Sequence, residues 1–219
     1  MSEKLKIRLT VFVLLLFMVG VVGGFVHRMT QPNIFSKEKM ETYGGYFFDK
    51  PRIFRDPVLI DQDGKAFDPK FFAGKWTFVF FGFTSCPDIC PTTLGVLDKF
   101  YRELQEKHEA DSVQVVLVSV DPARDTPQKL KEYTAYFNSA FYGVTGEHMD
   151  LVRFAADLNA GFTKAPIDGG GYLMEHSGNI AIINPRGHYH GFFKPPFDPL
   201  NLRLAFNSVR AQYERDFGK

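Results

Sequence analysis

The sequence predicts an α/β domain, a central mixed sheet flanked by helices, behind an N-terminal transmembrane helix. Three observations predict it. Two short runs, residues 76–83 (WTFVFFGF) and 113–120 (VQVVLVSV), are apolar and rich in β-formers, as strands buried on both faces are. Segments of helical periodicity lie between and after them, so the two strands pair in parallel through right-handed crossovers. An uncharged stretch of 18 residues, 9–26 (LTVFVLLLFMVGVVGGFV), lies near the start of the chain. A helix of roughly 17–25 residues spans a bilayer.

The chain has 219 residues, 45% of them hydrophobic and 23% charged, which is the composition of a globular protein with a substantial core. The net charge of +1 gives no sign of a nucleic-acid partner. Twenty-four phenylalanines imply a large aromatic core or an exposed aromatic surface. Lys4, Lys6 and Arg8 precede the apolar stretch and only Arg28 follows closely, which orients the N-terminus to the cytoplasm. A cleaved signal peptide is the competing reading, with Gly20, Gly23 and Gly24 as a weak small-residue site. A buried core helix is the third. The expected organisation is a cytoplasmic N-terminus over residues 1–8 and a single-pass anchor over 9–26 in a bacterial inner membrane. A tether over 27–43 and a periplasmic domain over 44–219 follow.

Within the domain, residues 58–67 read as a hairpin turning at Asp63-Gly64. After the first buried strand, Pro91 opens a helix to about His108, with Leu94, Leu97, Tyr101 and Leu104 on one face. After the second, Thr126 caps a helix opened by Pro127, whose Leu130, Tyr133, Thr134 and Phe137 share a face. A further helix covers 149–158, capped by Thr145 or Glu147. Strands at 179–183 and 189–193 are joined by the turn Asn184-Pro185-Arg186-Gly187. Residues 199–217 close the chain as an amphipathic helix, with Leu202, Phe206, Val209 and Tyr213 on one side. This order is the thioredoxin arrangement, with a cysteine motif at the junction between the first buried strand and its helix.

That motif, FTSCPDICPTTL at 83–94, holds the only two cysteines, Cys86 and Cys90. Four positions apart, their sulfurs share a face if the segment is helical. The unpaired N–H groups of a helix N-terminus favour thiolate, while Asp88 and the absence of a neighbouring Lys oppose it. A purely stabilising disulfide closes so short a loop that it removes little chain entropy. An inert buried pair sits poorly with Pro-Asp-Ile between the cysteines. A redox pair in an oxidising compartment and a metal site remain. Two soft ligands are incomplete for most metals. His176 is the best third ligand, in a segment preceded by the bend-prone Asp168-Gly169-Gly170-Gly171; otherwise it is a polar histidine at a strand edge. Two thiolates and an imidazole suit Cu(I) or Cu(II), whereas zinc usually takes four ligands.

Residues 57–94, VSVDPARDTP at 118–127 and YLMEHSGNIAIINPRG at 172–187 resemble the Sco/SenC family of copper-binding thioredoxin-fold proteins, over about residues 42–215. The resemblance implies that Cys86, Cys90 and His176 bind one copper ion. It implies a role in the assembly of the binuclear copper centre of cytochrome c oxidase, by delivering copper or by keeping its cysteines reduced. The copper-centre subunit is then the partner, with other periplasmic copper chaperones or thioredoxin-like reductants beside it. Asp121 and Asp125 follow the second buried strand and are expected near the site, as carboxylates that hydrogen-bond its ligands; Asp125 alternatively caps the helix at Pro127. Glu175 stands where family members commonly carry Asp, one carbon shorter. His188 and His190 flank Tyr189 as a second metal site or as the solvent face of an edge strand, and Met174 offers a thioether or packs. Tyr172, Phe162, Phe192 and Phe193 form a docking patch or belong to the core.

Two functions follow from the same thiols: a copper chaperone, which is not an enzyme, and a thiol–disulfide oxidoreductase, which is. His176 separates them, because only the copper site needs it. A copper or redox sensor lacks a second domain to carry its output.

Overall fold

The computed structural model describes residues 3–30, 33–167 and 169–218. Two compact units divide the chain. The first joins Met1–Ile34 to Asn207–Lys219 and contains α1 (Glu3–Thr30). With an 18-residue stretch of mean hydropathy 2.7, this helix is long and apolar enough to cross a membrane. At 1.5 Å per residue its 28 residues extend about 42 Å, against a hydrocarbon core of about 30 Å.

The second unit, Phe35–Phe206, opens with α2 (Lys37–Thr42), β1 (Gly45–Arg52), β2 (Ile60–Asp61), β3 (Trp76–Gly82) and α3 (Ile89–Glu106). Then come β4 (Val113–Ser119), α4 (Pro127–Phe137), β5 (Tyr142–Thr145), α5 (His148–Asp157), β6 (Phe162–Pro166) and β7 (Tyr172–His176). The chain ends with β8 (Ile180–Ile183), β9 (Tyr189–Phe193) and α6 (Pro199–Phe217). Seven strands form one sheet in the order β1-β9-β8-β3-β4-β5-β2, and β6 and β7 form a separate two-stranded ribbon. β3, β4 and β5 run parallel, and β8, β9 and β1 continue the sheet antiparallel. The expected mixed sheet is thus present, with β3 at its centre and buried along its whole length.

Phenylalanines fill both layers. On one face of β3, Phe78 packs 4.9 Å from Phe100 of α3 and 5.2 Å from Phe206 of α6. On the other, Phe81 meets Phe154 of α5 at 5.7 Å. Thr126 caps α4 as predicted, its hydroxyl accepting from Lys129 N at 3.3 Å. Of the two caps proposed for α5, Glu147 holds the position but makes no side-chain bond to the helix. The hairpin at 58–67 forms as a short one: Asp61 N donates to Lys65 O at 2.8 Å and Phe67 N to Leu59 O at 2.9 Å, around Gly64 at φ 77°.

Strands β1 and β5 were not foreseen. β1 is an edge strand interrupted by Pro51, and β5 has four residues, too few to show a period. Gly143 in β5 admits α4: a Cβ there would lie 3.0 Å from Leu130 Cβ.

β1 also corrects the view of His188 and His190 as the solvent face of an edge strand. It covers β9, and His190 is 6% exposed with Trp76 edge-on at 5.2 Å. Asn184 Oδ1 accepts from Arg186 N and His188 N, so its NH2 faces His190 Nδ1 at 3.1 Å and donates to it. The imidazole is therefore neutral with its proton on Nε2, and burial lowers its pKa to about 4. Between pH 6.5 and about 4 the unfolded chain takes up this proton and the folded chain does not. Stability is thus expected to fall on acidification through that window, by up to roughly 3 kcal/mol. Chemical denaturation of the full chain in detergent at pH 7.5 and 4.5, with His190→Phe for comparison, measures it. The variant should show a flatter pH dependence.

Candidate metal centre

β3 delivers the chain to the cysteines. Beyond Gly82 it leaves the sheet, Cys86 N donates to Phe83 O at 3.2 Å, and α3 begins at Ile89. Cys86 therefore sits in the turn ahead of the helix, half-buried, while Cys90 lies in the first helical turn with no exposed surface. The N–H of Cys90 donates to Cys86 Sγ at 3.4 Å, the helix-terminal support for sulfur that the spacing predicted. For Cys90 itself that support loses: burial pushes its thiol well above the ordinary range, so its resting form is protonated.

His176 ends β7, opposite Phe162 in register. Its Nε2 lies 3.4 Å from Cys90 Sγ. On the other side of the ring, Nδ1 lies 3.1 Å from Ser177 O, a pure acceptor, so Nδ1 carries the proton and Nε2 presents its lone pair to the sulfur. Burial lowers the His176 pKa, which keeps the ring neutral. The ligand atoms of Cys86, Cys90 and His176 lie within 4.8 Å of one another. Among the described residues this is the only such group of three. A cavity of about 330 Å³ opens onto it, lined by Cys86, Pro87, Ile89, Leu173, Glu175 and His176 with others.

The bend-prone approach to His176 takes a defined form. Gly169, Gly170 and Gly171 all have positive φ and turn β6 into β7; Asp168 lies outside the described residues. The histidine is on a strand and already against Cys90.

The carboxylates act at one remove from the sulfurs. Asp125, 1% exposed, accepts from Thr84 N at 2.9 Å, Thr84 Oγ1 at 2.5 Å and Ser119 Oγ at 2.6 Å. It braces the loop that carries Cys86, and the cap at Pro127 is left to Thr126. Asp121 accepts from Arg124 Nε and, at 2.8 Å, from Tyr172 OH. Glu175 is exposed at the cavity rim. Met174 is buried and lines the same cavity. The aromatic patch does not form as a unit: Phe193 is core and Phe192 stacks on Tyr46 of β1. Sequence reasoning passed over Thr84 and Arg124, and read Tyr172 only as part of a docking patch or of the core. Arg124 sits inside the DPARDT stretch, which was the available signal.

A thioredoxin-like sheet whose central strand leads into a CxxxC turn, faced by a histidine from a separate ribbon, defines a class of dithiol–imidazole proteins. The SCO1/SenC family model matches residues 49–206, and the chain belongs to that family. A SCO2-like protein of Rickettsia felis is 35% identical over 143 residues, 64% of this chain and 69% of the relative. Arabidopsis thaliana ScoI, solved with copper bound, superposes with a TM-score of 0.67 at 33% identity, covering 72% of this chain and 98% of that one. Bradyrhizobium japonicum ScoI, also with copper bound, gives 0.62 at 31% identity over 73% and 98%.

Proposed function

We propose that this chain is a membrane-anchored periplasmic copper carrier. It binds one copper ion through Cys86, Cys90 and His176 and serves assembly of the binuclear copper centre of cytochrome c oxidase. The convergence of those three side chains from α3, its preceding turn and β7 carries the proposal. Residues 9–26 are the anchor, 27–43 the tether and 44–219 the working domain, with residues 1–8 in the cytoplasm. Copper is the cargo, and the donors fit it: two sulfurs and an imidazole lone pair are soft to intermediate ligands. Binding displaces the Cys90 proton, while neutral His176 has none to lose from Nε2. The cavity reaches Cys86 and His176 but leaves Cys90 buried, so donors of the acceptor protein exchange with the first two before the third.

Anaerobic Cu(I) titration of the full chain in detergent tests this. One equivalent should bind, and His176→Ala should weaken it about tenfold or more, ~1.4 kcal/mol. Equal affinity in the variant removes the three-ligand site.

The unequal exposure of the cysteines favours a second activity on the same residues. The Cys86 thiolate attacks a target disulfide, forming a mixed disulfide and releasing one target thiol. Cys90 then attacks Cys86 Sγ, closing the intramolecular disulfide and releasing the second target thiol, so two electrons pass to the target. His176→Ala should leave this reduction largely intact.

A further inference from the structure

The DPARD segment, residues 121–125, touches both halves of the centre. Asp125 at its end holds the Thr84 N–H and hydroxyl, two residues before Cys86. Asp121 at its start holds the Tyr172 hydroxyl, four residues before His176. Between them Arg124 pairs with Asp121, donates through Nη1 to Tyr172 O at 3.2 Å, and lies 4.0 Å over the Tyr172 ring. Lys164 of β6 lies 3.6 Å over that ring as well. The loop itself is tied by Arg124 N and Asp125 N, which both donate to Asp121 O.

The ribbon needs such anchoring. Two strands alone are marginally stable, and β6–β7 is not hydrogen-bonded into the large sheet. At the His176 end, Ser177 N donates to Gly161 O and Gly161 N to Ser177 Oγ, bonds between the ribbon's own two arms that extend its ladder without tying it to the sheet. At the far end stands Tyr172, in line with Met174 and His176 on one side of β7 by the two-residue period.

We infer that Asp121, Arg124 and Tyr172 form a latch that presets His176 against the cysteines, and that the DPARD segment thereby fixes the spacing of the thiol and imidazole ligands. Tyr172, Arg124 and Asp121 are positioning residues acting through the ribbon, none of them a ligand. This rests on the three-ligand proposal above.

Tyr172→Phe is the cleanest probe, since it keeps the ring under Arg124 and removes only the hydroxyl. In the metal-free full chain, amide hydrogen exchange over 172–176 should quicken severalfold while 84–90 stays unchanged. Loss of a direct hydrogen-bond partner of a ligand costs about 10–100-fold in metal affinity; the Tyr172 hydroxyl acts one step further out, so Cu(I) affinity should fall by about three- to tenfold. In a His176→Ala background the same substitution should cost nothing further. Arg124→Lys, which keeps the charge but not the fork, should fall between wild type and Tyr172→Phe. The latch is overturned if Tyr172→Phe leaves exchange and affinity unchanged. It is equally overturned if the affinity loss persists in full without His176. If His176→Ala alone binds copper as wild type does, the three-ligand site has failed instead, and the exchange measurement on metal-free protein still decides whether the latch holds the ribbon.

Discussion

Replacing Cys90 with serine is expected to lower the Cu(I) affinity of the full chain at least about a hundredfold, roughly 2.8 kcal/mol. A soft sulfur is exchanged for a hard hydroxyl that stays protonated at neutral pH, in a position with no exposed surface where water cannot substitute for it. The fold should survive. The smaller hydroxyl fits within the space of the sulfur, and His176 Nε2, 3.4 Å from that sulfur, is the acceptor it can reach if β7 closes by a few tenths of an ångström. A denaturation midpoint near wild type combined with collapsed copper binding is the expected pair of results. Affinity within threefold of wild type would exclude Cys90 as a ligand.

Gly82→Ala is expected to damage fold and site together. A Cβ on Gly82 would stand 2.9 Å from Cys90 Sγ, 3.1 Å from a ring carbon of Phe80 and 3.2 Å from a Leu117 methyl. All three neighbours are buried, so relief comes only by turning the Cys90 side chain or parting α3 from the sheet. Overpacking of this kind costs about 1–3 kcal/mol. Because the displaced atom is a proposed ligand, copper affinity should fall as well. Gly143→Ala is the control, with its Cβ 3.0 Å from Leu130 and no contact with a thiol or His176 among its nearest neighbours. It should lose stability and keep copper. If the two variants lose copper affinity alike, the effect is general loosening and the Gly82–Cys90 contact has no special bearing on the site.

What could be read in advance was what depends on neighbours in the chain. β3 and β4 announced themselves as unbroken apolar runs because both faces of a central parallel strand are covered. The Thr126-Pro127 start of α4 was visible because a cap is local chemistry. The Cys86–Cys90 spacing placed both thiols at a helix N-terminus, and α1 was evident from its uninterrupted hydrophobicity.

Other features took the tertiary structure. β1 and β5 exist because partners from distant sequence present open edges to them, and neither segment has a periodicity of its own. The ribbon β6–β7 is a strand pair built from what reads as a polar, glycine-rich loop. His190 resembles a surface histidine until β1 covers it. Asp121 and Asp125 were expected to hydrogen-bond the metal ligands; Asp125 instead holds Thr84 beside Cys86, and Asp121 holds the Tyr172 hydroxyl on the strand that carries His176. The meeting of His176 with Cys90, 86 positions apart, decides between a bare thiol pair and a three-donor centre. Residue types and short spacings determined which chemistry was available, because thiols, imidazoles and caps act locally. Only folding decided which groups met and which charges were buried, because those depend on distances the chain closes through space.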